Sequence, residues 1–255
     1  MNFTDKEKNS LIIMLVISFF AVVGVFLLGP IAQEVSYHDF ADKHSYFNIP
    51  NFFDVISNVA FIVVGLSGLY HLFGRDCRVF QSNRPPYCLF FIAVIMVGFG
   101  SGYYHLWPDN TTLVWDRLPM TLAFMALFTF IIAEFISKEI ALKLFLPFLL
   151  LGLVSVVYWA WSESEGIGDL RPYILVQFLP MLLIPVILLV FKSAYTNTEG
   201  YWYLLLAYFV AKLLEYFDKE VYEFLGFMSG HSLKHLVAAF GIYLLLRSFK
   251  SRRLL

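Results

Sequence analysis

Charge is what this 255-residue chain has least of: only 15% of its residues are Asp, Glu, Lys or Arg, against 60% hydrophobic. Soluble domains carry about 25% charged residues, so a water-soluble globule is excluded. A basic excess is missing as well. Lys and Arg number 18 against 19 acidic residues, a formal net charge of −1, which leaves nothing to neutralise a phosphate backbone and excludes nucleic acid as a partner. Cysteine is nearly absent. Cys77 and Cys88 are the only two, and both fall on the side read below as cytoplasmic, where reducing conditions disfavour a structural disulfide. The period-two alternation of a lipid-facing barrel strand is lacking, as are Ser/Gly-rich linkers, low-complexity tracts and repeats, which excludes a β-barrel, a repeat array and a tethered soluble domain.

What fills the chain instead is a series of apolar runs of about 18 to 24 residues, the length that crosses a hydrocarbon core roughly 30 Å thick as a helix. Eight such runs fall at roughly 10–32, 52–73, 87–107, 114–136, 139–161, 172–192, 200–217 and 231–248. Stretches such as Leu144 to Val154 are apolar on every face, which suits a helix in lipid. The expected fold is all-α, a polytopic transmembrane helical bundle. Many aromatic residues sit at the run ends, among them Tyr103, Trp107, Trp161 and Trp202, where amphipathic rings anchor spans at the interface.

Cytoplasmic span ends retain Lys and Arg, so sorting the basic residues between alternate loops gives the orientation. With the N-terminus inside, one side collects twelve of the 18, including Lys6, Arg75, Arg78 and Arg253. The other side collects Lys43, Arg117, Arg171 and Lys219, with Lys212 and Lys234 inside helices. Both termini are therefore expected in the cytoplasm. The first run has two readings, a retained anchor or a signal sequence; its apolar length exceeds the usual signal core and favours the anchor.

Ionisable residues inside a membrane are costly and point to function. Three separated segments bring such residues to one depth, near the extracytoplasmic ends of their helices. The third run ends Gly100-Ser101-Gly102-Tyr103-Tyr104-His105, the fourth begins Trp115-Asp116-Arg117, and the last begins Gly230-His231-Ser232-Leu233-Lys234-His235. His231 and His235 are spaced i, i+4, as are Ser101 and His105, so each pair shares a helix face. Two imidazoles at this spacing can chelate one metal ion, although interfacial or hydrogen-bonded histidines have the same pattern. His105 supplies a third nitrogen, and three histidines with an open fourth position are an arrangement of catalytic zinc. Zinc so held lowers the pKa of a water to about 7. Asp116 would then move the proton and Ser101 would donate to the oxyanion of an attacked amide or ester. Alternatively Asp116 orients a histidine or pairs with Arg117.

These motifs, Gly100-Ser101-x-x-x-His105, Trp115-Asp116 and Gly230-His231-x-x-x-His235, resemble the alkaline ceramidases, part of a wider seven-span superfamily that includes progestin and adiponectin receptors. The resemblance runs from about Tyr37 to Phe249. It implies a seven-helix membrane domain at 37–255, preceded by an N-terminal anchor helix at 1–36. It also implies zinc on His105, His231 and His235, and hydrolysis of the ceramide amide assisted by Ser101 and Asp116. The stretch His38 to His44, followed by Asn51 to Asn58, resembles the family's calcium-binding region and implies calcium on Asp39, Asp42 and Asn51. Here the chain departs from the animal enzymes. Asp42, His44 and Asn51 stand where that region has an acid, an amide and an acid, and the intervening loop is shorter. Calcium prefers six to eight hard oxygens, and the alternative is a loop capped by Asp39 and Asp42, with Asn51 or Asp54 starting the next helix.

Other polar residues read as structural. Lys212 with Glu215 suits an ion pair inside the bundle, and Glu134 with Lys138 a surface pair. The leading expectation is a zinc-dependent integral membrane hydrolase in a bacterial cytoplasmic membrane, its site toward the extracytoplasmic side and its ceramide-like lipid entering sideways from the bilayer. The alternatives are a receptor-like lipid-binding protein with a structural zinc, and a transporter using Lys212 and Glu215.

Overall fold

A computed structural model describes residues 3–74 and 84–255. Arg75, Cys77 and Arg78 lie outside the described residues; Cys88 is a free thiol in the first turns of a helix. The helices grow from the apolar runs, and local chemistry sets their ends. Helix α1 (Asp5–Leu27) starts earlier than its apolar run because Thr4 and Glu7 form a reciprocal capping box. The Thr4 hydroxyl oxygen accepts from the Glu7 amide, and the Glu7 carboxylate accepts from the Thr4 amide. Its exposed Ile12, Leu15, Phe19 and Phe20 suit a helix facing lipid.

A single 3-10 turn (Val35–His38) leads to α2 (Phe52–Ile56) and α3 (Val59–Phe73). These two were expected as one span. It breaks at Ser57 and Asn58, whose side chains both donate to the Asp54 carbonyl, at 3.2 and 2.7 Å, and so compete with the helical ladder. There follow α4 (Arg84–Leu106), α5 (Asn110–Phe135), α6 (Lys138–Ser164), α7 (Arg171–Val190), α8 (Glu199–Tyr216), α9 (Asp218–Leu225) and α10 (Gly230–Ser251). Helix α9 was not expected, because eight residues carrying Asp218, Lys219, Glu220 and Glu223 make no apolar run. The only extended pairings among the described residues are isolated bridges, Tyr46 with Ile49 and Tyr195 with Leu254.

Among the described residues, seven helical segments are long and apolar enough to cross a membrane: α1, α2 with α3, α4, α5, α6, α7 and α10. The protein is therefore all-α and of the multi-pass membrane class. Helix α8 fills the remaining expected span, with 18 residues that include Glu199, Lys212 and Glu215. Lys212 and Glu215 pair at 2.5 Å, and Lys234 joins Glu215 at 2.7 Å, so the two charges near the end of this helix are matched by ion pairs, while Glu199 at its start is exposed.

Packing divides the chain into two compact units. The first, Met1–Gln33 with Phe124–Ala194, packs α7 against α1 and α6. Its junction is an arginine fork. Arg171 Nε and Nη2 each donate to Asp169 at 2.8 Å, while Nη1 donates to the Leu28 carbonyl at 2.8 Å, so the start of α7 holds the end of α1. The hydrogen bonds from Arg171 keep the Asp169 carboxyl below the usual carboxylate range. Glu134 corrects an expectation. It is buried rather than at the surface, because its face of α5 turns inward.

The second unit is Glu34–Ala123 with Tyr195–Leu255, in which α8 packs on α10 and α3 on α4. Small residues let these helices approach closely, as is usual where lipid supplies no hydrophobic drive for association. A Cβ on Gly241 would lie 2.4 Å from that of Ala207, and one on Gly65 would lie 2.9 Å from the Phe91 carbonyl.

Candidate metal centre

Three helix ends of the second unit build the centre. Helix α4 stays helical through Gly98, Gly100 and Gly102, although each glycine disfavours helix by about 1 kcal/mol relative to alanine. Packing explains the choice at Gly100. A Cβ there would sit 2.0 Å from the Trp115 carbonyl oxygen, so glycine allows α4 and α5 to cross in backbone contact. The next residue on α4 is Ser101, the next on α5 is Asp116, and the Ser101 hydroxyl donates to the Asp116 carboxylate. Ser101 is buried and Asp116 half-buried. One turn along α4 lies His105.

The start of α10 is similarly pinned. Ser229 caps it by accepting from the Ser232 amide at 2.9 Å. Asp218 accepts from the His231 amide at 2.7 Å, which puts a carboxylate at the positive end of the helix. At Gly230 a Cβ would lie 2.2 Å from the Leu214 carbonyl, so glycine brings α10 tight against the end of α8.

His105, His231 and His235 converge from these two helices. Their ring centroids lie 4.7, 5.2 and 5.0 Å apart, and one nitrogen from each falls within 4.8 Å of the others. All three side chains are buried. Nε2 of His105 and Nε2 of His231 are 3.2 Å apart. Two ligands 2.0–2.1 Å from a tetrahedral zinc lie about 3.3 Å apart, so this separation suits a shared ion. Nδ1 of His105 is buried without a hydrogen-bond partner. The donor set, three imidazoles with no thiolate or carboxylate among them, fits zinc. Among the described residues this is the group of three or more His, Cys, Asp or Glu that can hold a metal.

Residues not singled out from the sequence surround the trio. Phe40 closes one side, its ring centroid 4.7 Å from that of His105 and 4.3 Å from that of His231. Ser57 Oγ is 2.8 Å from Nδ1 of His235. The Asp54 carboxylate accepts from the hydroxyls of Ser229 and Ser232, at 3.0 and 2.5 Å. No periodicity or spacing marks these partners, since Ser57 and His235 are 178 positions apart. Asp54 carried only a helix-start reading.

The residues implied for calcium have other partners. Asp39 is exposed and pairs with Lys43 and Lys219, at 2.5 and 3.1 Å. Those hydrogen bonds, Lys43 first, hold its carboxyl below the ordinary range. Asp42 is fully buried; one oxygen accepts from the His44 amide at 3.0 Å and the other from the Phe53 amide at 2.9 Å, which caps the start of α2. Asn51, at the N-cap position itself, makes no side-chain cap; its amide donates to the His105 carbonyl at 2.8 Å.

The arrangement can bind a divalent ion and present a hydroxyl and a carboxylate one helical turn away. Searches of curated proteins and of solved structures return no match. The model of the Ceramidase family matches residues 43–254, a stretch that contains every residue of the trio together with Ser101 and Asp116. The chain therefore belongs to the Ceramidase family, which implies an amide hydrolase.

Proposed function

We propose that the protein is a zinc-dependent integral membrane hydrolase that cleaves the amide of ceramide-like lipids. The observation that carries this reading is the convergence of three buried imidazoles beside the Ser101–Asp116 hydrogen bond. His105, His231 and His235 would hold the ion. When bound, zinc supplies a Lewis acid and lowers the pKa of a water from 15.7 to about 7. Asp116 accepts the proton released by the attacking water and delivers it to the departing amine nitrogen. The Ser101 hydroxyl, which now donates to Asp116, turns to donate to the carbonyl oxygen as negative charge develops there. The bond between carbonyl carbon and nitrogen breaks, leaving a fatty acid and an amino alcohol.

The Ser101–Asp116 pair favours an enzyme over a lipid-binding protein with a structural zinc, because a structural zinc usually closes its fourth position with a protein ligand. We place the site toward the extracytoplasmic side, with both termini cytoplasmic, on the distribution of Lys and Arg. Residues 1–36 serve as an anchor ahead of a catalytic domain at 37–255, a division supported by a family match that begins at residue 43. Calcium on Asp39, Asp42 and Asn51 rests on the resemblance of that stretch alone, and a calcium titration of the zinc-loaded protein tests it. The test of the main reading is mass spectrometry of a lipid extract incubated with metal-replete protein and with His235→Ala. The wild type is expected to release a specific fatty acid that the variant does not. Equal release by both would overturn the reading.

A further inference from the structure

We infer that Ser57 is a positioning residue that fixes His235 in the tautomer carrying its proton on Nδ1, leaving Nε2 bare for the metal. The inference deepens the proposed zinc site and rests on it.

A serine hydroxyl has one proton to donate and two lone pairs to offer. Ser57 Oγ donates to the Asp54 carbonyl at 3.2 Å and lies 2.8 Å from Nδ1 of His235. With its proton engaged at Asp54, the hydroxyl meets the imidazole as an acceptor, so His235 must be the donor at Nδ1. A neutral imidazole with Nδ1–H has its lone pair on Nε2, the nitrogen this assignment leaves for the metal. Among groups that touch metal-binding histidines, a hydrogen bond at the far ring nitrogen commonly fixes both orientation and basicity.

The geometry around Ser57 is over-determined. Ser57 and Asp54 share α2 and its end, and the Asp54 carboxylate is bound by Ser229 and Ser232 at the start of α10. One short segment thus holds both the backbone that carries His235 and the ring itself. His105 has no such support. Its Nδ1 is buried without a hydrogen-bond partner, so the orienting of this trio falls unequally on its members.

The experiment measures zinc affinity by competition with a chelator, and the visible spectrum of the cobalt-loaded protein, for wild type and for Ser57→Ala, Ser57→Cys and Ser57→Thr. Ser57→Ala is expected to bind zinc about 10–100-fold more weakly and to alter the cobalt spectrum. Ser57→Cys, close in volume but a poor acceptor, carries the same expectation if the alanine variant does not fold. Ser57→Thr keeps the hydroxyl and is expected to return affinity and spectrum toward wild type. Ser67→Ala, which removes a hydroxyl bonded within α3 to Val63, is expected to change neither. If Ser57→Ala holds zinc as tightly as wild type with the same spectrum, or if Ser57→Thr behaves like Ser57→Ala, the role of Ser57 is overturned while the zinc site stands. A wild type that takes up neither metal overturns the zinc reading itself.

Discussion

Helix α10 carries a buried polar group at each end, and the two are satisfied in opposite ways. At its C-terminal end Arg252 is buried with its guanidinium carbon 4.1 Å from the Phe249 ring centroid and 4.7 Å from that of Tyr195. Its Nη2 donates to the Tyr87 hydroxyl at 2.8 Å. Aromatic faces and phenols meet this cation from within the protein, which is how a buried charge is made tolerable. At the other end His105, His231 and His235 bring like groups together, two of them nitrogen to nitrogen at 3.2 Å, with no anion within the trio. The first arrangement meets its charge with aromatic faces and a phenol of the protein itself and reads as structure. The second is an arrangement that a cation would complete, and that difference separates a candidate functional cluster from a stabilising one.

The comparison breaks if the two ends respond alike to mutation. The largest effect is expected at the trio. His231→Ala should abolish stoichiometric zinc by elemental analysis and lower fatty-acid release to background, while helical circular dichroism persists. Next, Asp116→Asn should retain zinc but lose about 10²–10⁴-fold in kcat, the usual range for a general acid–base; unchanged kinetics would remove Asp116 from the mechanism. At the opposite end Arg252→Met should lower stability by about 2–4 kcal/mol, from a lost charged hydrogen bond and cation–π contacts, with zinc affinity within about twofold of wild type. A large loss of zinc there would mean that the two ends are one coupled network. The smallest effect is expected for Thr4→Ala, which removes the exposed cap of α1 and should cost about 1 kcal/mol in thermal or denaturant unfolding with zinc affinity unchanged.

Much of the centre was legible because two independent signals agreed. The i, i+4 spacing of His231 and His235 follows from helical periodicity, and the Lys and Arg distribution put His105 and Asp116 at the same depth. The residues around the trio were not legible. Phe40, Ser57, Asp54 and Asp218 act across chain separations that no local pattern encodes, and a serine or aspartate near a helix start reads as a cap whatever else it does. The same limit explains the errors in the fold. The break between α2 and α3 depends on side chains that bond to the Asp54 carbonyl, and α9 is too short and too charged to register in a search for apolar runs. Glu134 failed in the other direction, since i, i+4 spacing identifies a neighbour on a helix but not which way that face points.

Composition and hydropathy alone determined that this is a membrane-spanning, all-helical protein, because in hydrocarbon a backbone must satisfy its own hydrogen bonds and only long apolar helices do so here. The histidines and their spacing also came from sequence, since a helix repeats every 3.6 residues wherever it lies. Which side chains complete the centre was decided only in three dimensions. The approach of α4 to α5 at Gly100, of α10 to α8 at Gly230, and of Ser57 to His235 depends on helix crossings, and contacts at a crossing depend on shapes brought together from distant parts of the chain.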